Sequence, residues 1–236
     1  MFDQVLGREK ISVIVTSLEE QTERVQTLFG SGSVTVTDEG SETEANILIA
    51  GLKDPLRIKI EITHPWGRPL FDTLIQNSKI IIISYPEKRV YRGPMDGVAL
   101  SRFFPVSLTP DLVWSLFRGY PTLRKYDRAI SLEVHTVTFL DREGAVVQRL
   151  ELYKGDVLPR SLLFPGQGVE AVYSDYEEQD GIFYAETIKL DDPDHDATLE
   201  LNLKQMVFNE PIPEAVFEQK ILPGFQEVPL KGVKKQ

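Results

Sequence analysis

The chain has 236 residues, 42% of them hydrophobic and 26% charged, with 26 Lys and Arg against 36 Asp and Glu, three His and no Cys. That much apolar material supports an extensive core and excludes wholesale disorder, while a formal charge of −10 opposes a phosphate backbone and excludes general nucleic-acid binding. Without Cys there is no disulfide framework, thiolate nucleophile or Cys-ligated metal.

The length suits a single all-β domain over residues 1–236. The N-terminus lacks the basic start and apolar block of a signal peptide. The longest apolar runs, such as Ile80–Ile83, fall far short of the roughly 18–20 residues that a spanning helix needs. As given, the chain reads as soluble and carries no address; a mature region stripped of its leader and of a lipid-bearing Cys fits the same observations.

Ile11, Ile14, Val15, Leu18, Val25 and Leu28 recur at helical spacing, which predicts an N-terminal amphipathic helix over about 8–29, stopped by Gly30-Ser31-Gly32. From Val34 the pattern switches to period two. Strands are predicted at 33–37, 44–51, 56–63, 69–76, 79–84 and 88–92, separated by turn-formers such as Asp38-Glu39-Gly40 and His64-Pro65-Trp66-Gly67. Such short loops join antiparallel neighbours.

Between about 96 and 119 the alternation breaks, and Phe103, Phe104, Val106, Leu108, Leu112, Val113, Leu116 and Phe117 crowd around Pro105 and Pro110. Pro110-Asp111 suits the first turn of a helix and Gly119 its end, so one or two very apolar helices are inserted into the sheet. Strands resume near 129–141, 144–153, 157–164, 169–178, 182–190 and 197–208. A short element follows around 213–217, with room for a last strand. Eleven or twelve strands are too many for a flat open sheet, so the sheet should curl into a barrel or half-barrel with the apolar helices in its concavity as plug or lid.

Enzyme motifs are missing. Gly30-Ser31-Gly32-Ser33 leads into a strand, where it cannot seat a phosphate on a helix N-terminus, and there is no Walker or Gly-x-Ser-x-Gly sequence. His64, His135 and His195 lie far apart, without metal-ligand spacing. The acidic run Asp191-Asp192-Pro193-Asp194-His195-Asp196 lacks the Gly and terminal Glu of a calcium loop and reads as a solvated turn. No catalytic pair, metal or cofactor is implied. Two features do carry information: the apolar segment 98–117, and Trp66, a large indole placed between Pro65 and Gly67 at a hairpin tip, where loops are normally polar. Trp anchors at membrane–water boundaries.

Taken in order, these pieces resemble the LolA/LolB family of bacterial lipoprotein carriers and outer-membrane receptors. The stretch Leu56-Arg57-Ile58-Lys59-Ile60-Glu61-Ile62-Thr63-His64-Pro65-Trp66-Gly67 is similar to the LolB strand that ends in Asn-Pro-Leu-Gly, with Trp66 in the place of the protruding, membrane-contacting Leu. Phe104-Pro105-Val106-Ser107-Leu108 through Gly119-Tyr120-Pro121 is similar to the receptor's Pro-rich helical segment, and Asn209 to Phe217 with Pro223-Gly224-Phe225 resembles the family's closing elements. The resemblance covers nearly the whole chain.

It implies an incomplete antiparallel β-barrel of about eleven strands, mainly β, that takes acyl chains of lipids or lipoproteins without catalysis. The eight apolar residues of 103–117 would form lid and lining, and Trp66 the membrane tip, flanked by His64, Pro65, Gly67 and Arg68. It further implies a monomer at the periplasmic face of the outer membrane or in the periplasm, meeting the inner leaflet of that membrane and a LolA-type carrier. Asp54-Pro55 stands where LolA carries the Arg-Pro that latches its lid, so the resemblance does not extend to that latch. Two rival readings are an envelope-assembly or sensor module whose cavity is filled by its own side chains, and an enzyme acting inside the barrel, which needs convergent polar residues with perturbed pKa values.

Overall fold

The computed structural model describes residues 5–95, 109–166, 168–192 and 197–230. Helix α1 spans Arg8–Glu23 and buries Ile11, Ile14, Leu18 and Gln21. It ends six residues before the predicted stop, because strand β1 already begins at Thr27 and runs to Asp38. Gly30 and Gly32 are strand residues: a Cβ on Gly32 would stand 2.0 Å from the Asn202 carbonyl oxygen, and the register shifts between Ser31 and Gly32. Glycine here permits a bulge and a close backbone approach instead of ending a helix.

A meander follows: β2 Ser41–Leu52, β3 Arg57–Thr63, β4 Pro69–Gln76, β5 Lys79–Ser84 and β6 Arg89–Pro94. Helix α2, Pro110–Arg118, interrupts it. The second meander contains β7 Arg128–Ile130, β8 Thr136–Leu140, β9 Val146–Leu152, β10 Pro159–Phe164, β11 Val169–Gln179, β12 Ile182–Asp192 and β13 Ala197–Phe208. A 3-10 turn at Glu214–Phe217 and strand β14, Gln226–Pro229, close the chain.

The fourteen strands among the described residues form one sheet in the order β14-β6-β5-β4-β3-β2-β1-β13-β12-β11-β10-β9-β8-β7. Each pair is antiparallel except β14 with β6, which run parallel. The predicted strand 129–141 is in fact a hairpin, with Ala129 opposite Phe139. His135 takes a positive φ of 58° in the intervening turn, which the alternation of Leu132 and Val134 had disguised as strand.

The sheet is open between β14 and β7 and curls around its helices. In the second half, α1 lies across one end: the Leu6 N–H donates to Ser131 Oγ (3.2 Å) after β7, and Gln21 Nε2 donates to the Gly181 carbonyl (2.9 Å) before β12. In the first half the concave wall is an isoleucine-rich surface, with Ile47, Ile49, Ile58, Ile60, Ile80 and Ile82 each at most 3% exposed. Alternation along β2 to β5 puts these residues on one face, and α2 lies against that face.

Candidate functional site

Helix α2 is positioned by its own ends. Thr109 Oγ1 accepts from the Leu112 N–H (3.3 Å), Pro110 occupies the first turn, and Gly119 stops the helix in the left-handed region at φ 66°. Gly119 has a further reason to be glycine: the Ala185 N–H donates to its carbonyl at 2.7 Å, and a Cβ would stand 2.7 Å from the Ala185 oxygen. Trp114 packs over β2 where Gly51 leaves room; a Cβ there would be 2.9 Å from the indole.

Val113, Leu116 and Phe117, spaced i, i+3, i+4, face the sheet across a groove. The groove has two compartments. One, of about 30 Å³, lies beneath α2 against Ile60, Ile75, Ile80 and Leu199. The other, of about 120 Å³, lies toward the end of the sheet that carries the β1–β2 and β3–β4 turns, lined by Val36, Ala45, Leu70, Phe71 and Ile82. Val34, Ile62, Thr73 and Leu199 border both. The described lining is apolar apart from Thr73 and, in the larger compartment, Thr43.

Of the residues expected to form lid and lining, Val113, Leu116 and Phe117 line the groove. Leu112 is buried at 1% exposure but outside the lining. Phe103, Phe104, Val106 and Leu108 lie outside the described residues. The second expected cluster, His64 to Arg68, is the β3–β4 turn, closed by the His64 N–H on the Arg68 carbonyl (2.8 Å) and the Gly67 N–H on the His64 carbonyl (2.7 Å). Gly67 supplies the positive φ of 83° that the turn requires. All five residues are exposed. Trp66, at 90%, is the most exposed large hydrophobic side chain described, its ring edge-on to His64 with centroids 5.9 Å apart.

Sequence reasoning missed a polar knot at the far end of α2. Arg118, 1% exposed, donates through Nη1 to the Phe183 carbonyl (2.6 Å) and through Nη2 to the Gln21 carbonyl (3.2 Å) and Gln21 Oε1 (3.5 Å). It thereby caps the last turn of α1 while sitting at the favourable C-terminus of α2. The described residues give it no carboxylate partner; its guanidinium lies 5.2 Å from the Tyr120 ring centroid and 5.4 Å from that of Phe208. Burial lowers its pKa to about 10, so it stays charged at neutral pH.

Ser115 extends the knot, sharing a 3.0 Å hydrogen bond with the Tyr173 hydroxyl, donating to the Tyr120 carbonyl (3.0 Å) and accepting from the Thr122 N–H (3.1 Å). Burial pushes Tyr120 up to about 12, raises Tyr173 further, and holds Tyr176 well above the usual tyrosine value. Helix α2 is thus fastened to α1, β11 and β12 at its C-terminal end. A buried Arg at a helix end reads in sequence like any solvated charge, so no signal pointed to it.

No protein-family model and no curated protein sequence matches the chain. Solved structures do. A DUF1329 family protein from Desulfovibrio piger superposes with a TM-score of 0.62 over 88% of this chain and 97% of its own, at 13% identity. A lipoprotein-sorting domain from Vibrio parahaemolyticus and a LolA superfamily protein from Nitrosomonas europaea each give 0.59, over 89% of this chain and 97% of theirs, at 12% identity. The fold is the LolA-like incomplete barrel. At these identities the likeness is one of fold, and the open sheet with few helices is what the chains share.

Proposed function

We propose that the chain is a non-catalytic, LolA/LolB-like binding protein that shelters acyl chains of lipids or lipoproteins in the groove between α2 and β1–β5. The observation that carries this reading is the groove itself: two adjoining compartments whose described walls are almost wholly apolar, inside a curled sheet. Water gains little there and hydrocarbon gains much, about 8 kcal/mol for about ten buried methylenes before the cost of ordering the chain. The lipoprotein-sorting and LolA superfamily structures with the same fold support the lipid class and a periplasmic or outer-membrane setting.

On this reading the protein acts as a monomer on the receptor side of the family, taking its cargo from a LolA-type carrier. Trp66 is the tip that enters the inner leaflet of the outer membrane, with His64 and Arg68 at headgroup level. The test is titration of delipidated protein with a dansylated fatty acid, followed by displacement with palmitate. Saturable, displaceable binding that is weakened by Phe71→Glu in the larger compartment is the expected result. A flat titration would point to a filled interior and an assembly or sensor role, a reading favoured by the small space left under α2 and the fastening of that helix by Arg118.

A further inference from the structure

Toward the β1–β2 turn, the outward face of β1 and β2 carries Thr35 and Thr37 opposite Glu44 and Glu42. That is the polar side of an antiparallel alternation. Toward the other end of the same strands the alternation fails. Phe29 stands between Val207 of β13 and Ala50 of β2, and Leu48 lies two residues from Ala50 on the same face. Phe29, Leu48 and Val207 are 47%, 44% and 39% exposed, while the inward residues that alternate with them, Leu28, Ile47 and Ile49, are already in the core. The outward group therefore contributes little to folding. Scattered exposed apolar side chains are ordinary, but a contiguous group marks a contact surface.

The same residues border a groove. The chain from 214 to 220 passes over β3 and β4 on this convex face and leaves a space of about 370 Å³ lined by Phe29, Leu48, Glu61, Tyr85, Val216 and Lys220 among others. That segment is held in place. Arg57 donates to the Glu214 carboxylate at 2.5 and 2.9 Å with its guanidinium 4.5 Å from the Phe217 ring centroid, and Gln219 Nε2 donates to Asp72 Oδ1 at 2.9 Å. A groove walled by a sheet and a fastened segment needs little ordering when it is filled.

Charge selects the occupant. Glu61 lies directly opposite Leu48, Glu218 borders the groove, and the Glu210 carbonyl accepts from Thr27 Oγ1, two residues before Phe29. These three carboxylates, with Glu42 and Glu44 farther along β2, are exposed and have no cationic partner among the described residues. Against them stand Lys220 at the groove and Lys204, the residue skipped in the β1–β13 register; Lys59 and Asp72 neutralise each other. A second copy of this chain, at −10, and an anionic lipid surface would both meet like charge here. We propose that this convex groove docks a basic segment of a partner protein, with an apolar side chain against Phe29, Leu48 and Val207 and flanking Lys or Arg against Glu61 and Glu218. An apolar centre within a charged rim is the anatomy of a protein interface. The acyl groove lies on the opposite face of the sheet, so this docking leaves it free and does not depend on acyl binding.

The experiment places the photo-crosslinker p-benzoylphenylalanine at Leu48, and as a control at Thr35 on the same face, in the cell that makes the protein, and identifies the crosslinked peptide by mass spectrometry. Position 48 should give one discrete adduct with a protein segment in which Lys or Arg flanks an apolar residue, and position 35 should give none. Combining Glu61→Lys with Glu218→Lys should reduce the adduct about tenfold, since two attractions at the rim become two repulsions. Both carboxylates are exposed and without a cationic partner, so the doubly reversed protein should melt with wild type. An adduct with a second copy of this chain, with lipid or with an acidic segment overturns the assignment. So does an adduct that survives the charge reversal, one that forms equally from position 35, or the absence of any adduct at position 48.

Discussion

Replacing Trp66 with serine should separate membrane contact from folding. The side chain is 90% exposed, so its loss removes almost no packing, and stability should change by no more than about 0.5 kcal/mol. At a membrane the balance is different. Complete burial of about 200 Å² of indole surface is worth about 5 kcal/mol, and roughly half that, about 2–3 kcal/mol, if the ring stops at the headgroup boundary. The tip needs little ordering, because the turn is already closed by two backbone hydrogen bonds of 2.8 and 2.7 Å and the indole already rests against His64. Partitioning to phospholipid vesicles, measured by flotation, should therefore fall about 30- to 150-fold in Trp66→Ser. Tryptophan emission gives an internal check, since the only other indole, Trp114, is 4% exposed and contributes a constant signal. A vesicle-induced blue shift should be present in wild type and absent in Trp66→Ser. Equal flotation of the two proteins would refute the reasoning.

Phe117→Ala should cost about 3–5 kcal/mol in denaturant unfolding, because the ring is 6% exposed and packs α2 against the sheet; an unchanged midpoint would show that α2 does not hold that position. On the convex face, Lys59 and Asp72 form an ion pair at 2.6 Å with side chains 5% and 13% exposed, and Gln219 Nε2 donates to Asp72 at 2.9 Å. Lys59→Met should cost about 3 kcal/mol and Lys59→Met with Asp72→Leu much less, since a stranded buried charge is worse than no pair; equal losses would contradict this. Alkali should unfold the protein from about pH 10 upward. Tyr120 is raised in the folded state from 10.0 to about 12, so its stabilising contribution, whole below pH 10, is lost between those values, about 3 kcal/mol. Tyr173 and Tyr176 act in the same sense, and Arg118, lowered from 12.5 to about 10, acts in the opposite one. Three tyrosines outweigh one arginine, and Tyr120→Phe should flatten the decline; stability that rises above pH 10 would reverse the assignment of these groups.

Much of the architecture was legible in the residues. Strands 69–76 and 79–84 appear at the predicted bounds, because two apolar segments meet at a tight turn whose residues Asn77 and Ser78 take positive φ values of 51° and 56°. Helix α2 was announced by Pro110 and Gly119, which act at a helix end through local backbone geometry. The end of α1 was hidden: Val25 and Leu28 are buried at 0% and 1% in a turn and a strand, so they extend the helical spacing without belonging to the helix. Long-range covering was hidden as well. Lys59 alternates like a solvent-facing strand residue and becomes buried only because the chain around Gln219 folds back over β3 and β4. Arg118 belongs to the same class, its role set by Gln21 and Phe183, both distant in sequence. The first half of the apolar insertion, with Phe103, Phe104, Val106 and Leu108, lies outside the described residues.

The most direct test of acyl sheltering is native mass spectrometry of the purified protein, with denaturing extraction to identify what accompanies it, on wild type and Leu116→Glu. Leu116 is 2% exposed on the groove side of α2. The acyl reading predicts lipid-sized adducts on wild type, or their appearance when lipid is offered, and their loss in Leu116→Glu that retains its strand circular dichroism. Wild type that stays at its bare mass in the presence of phospholipid and lipoprotein would contradict it.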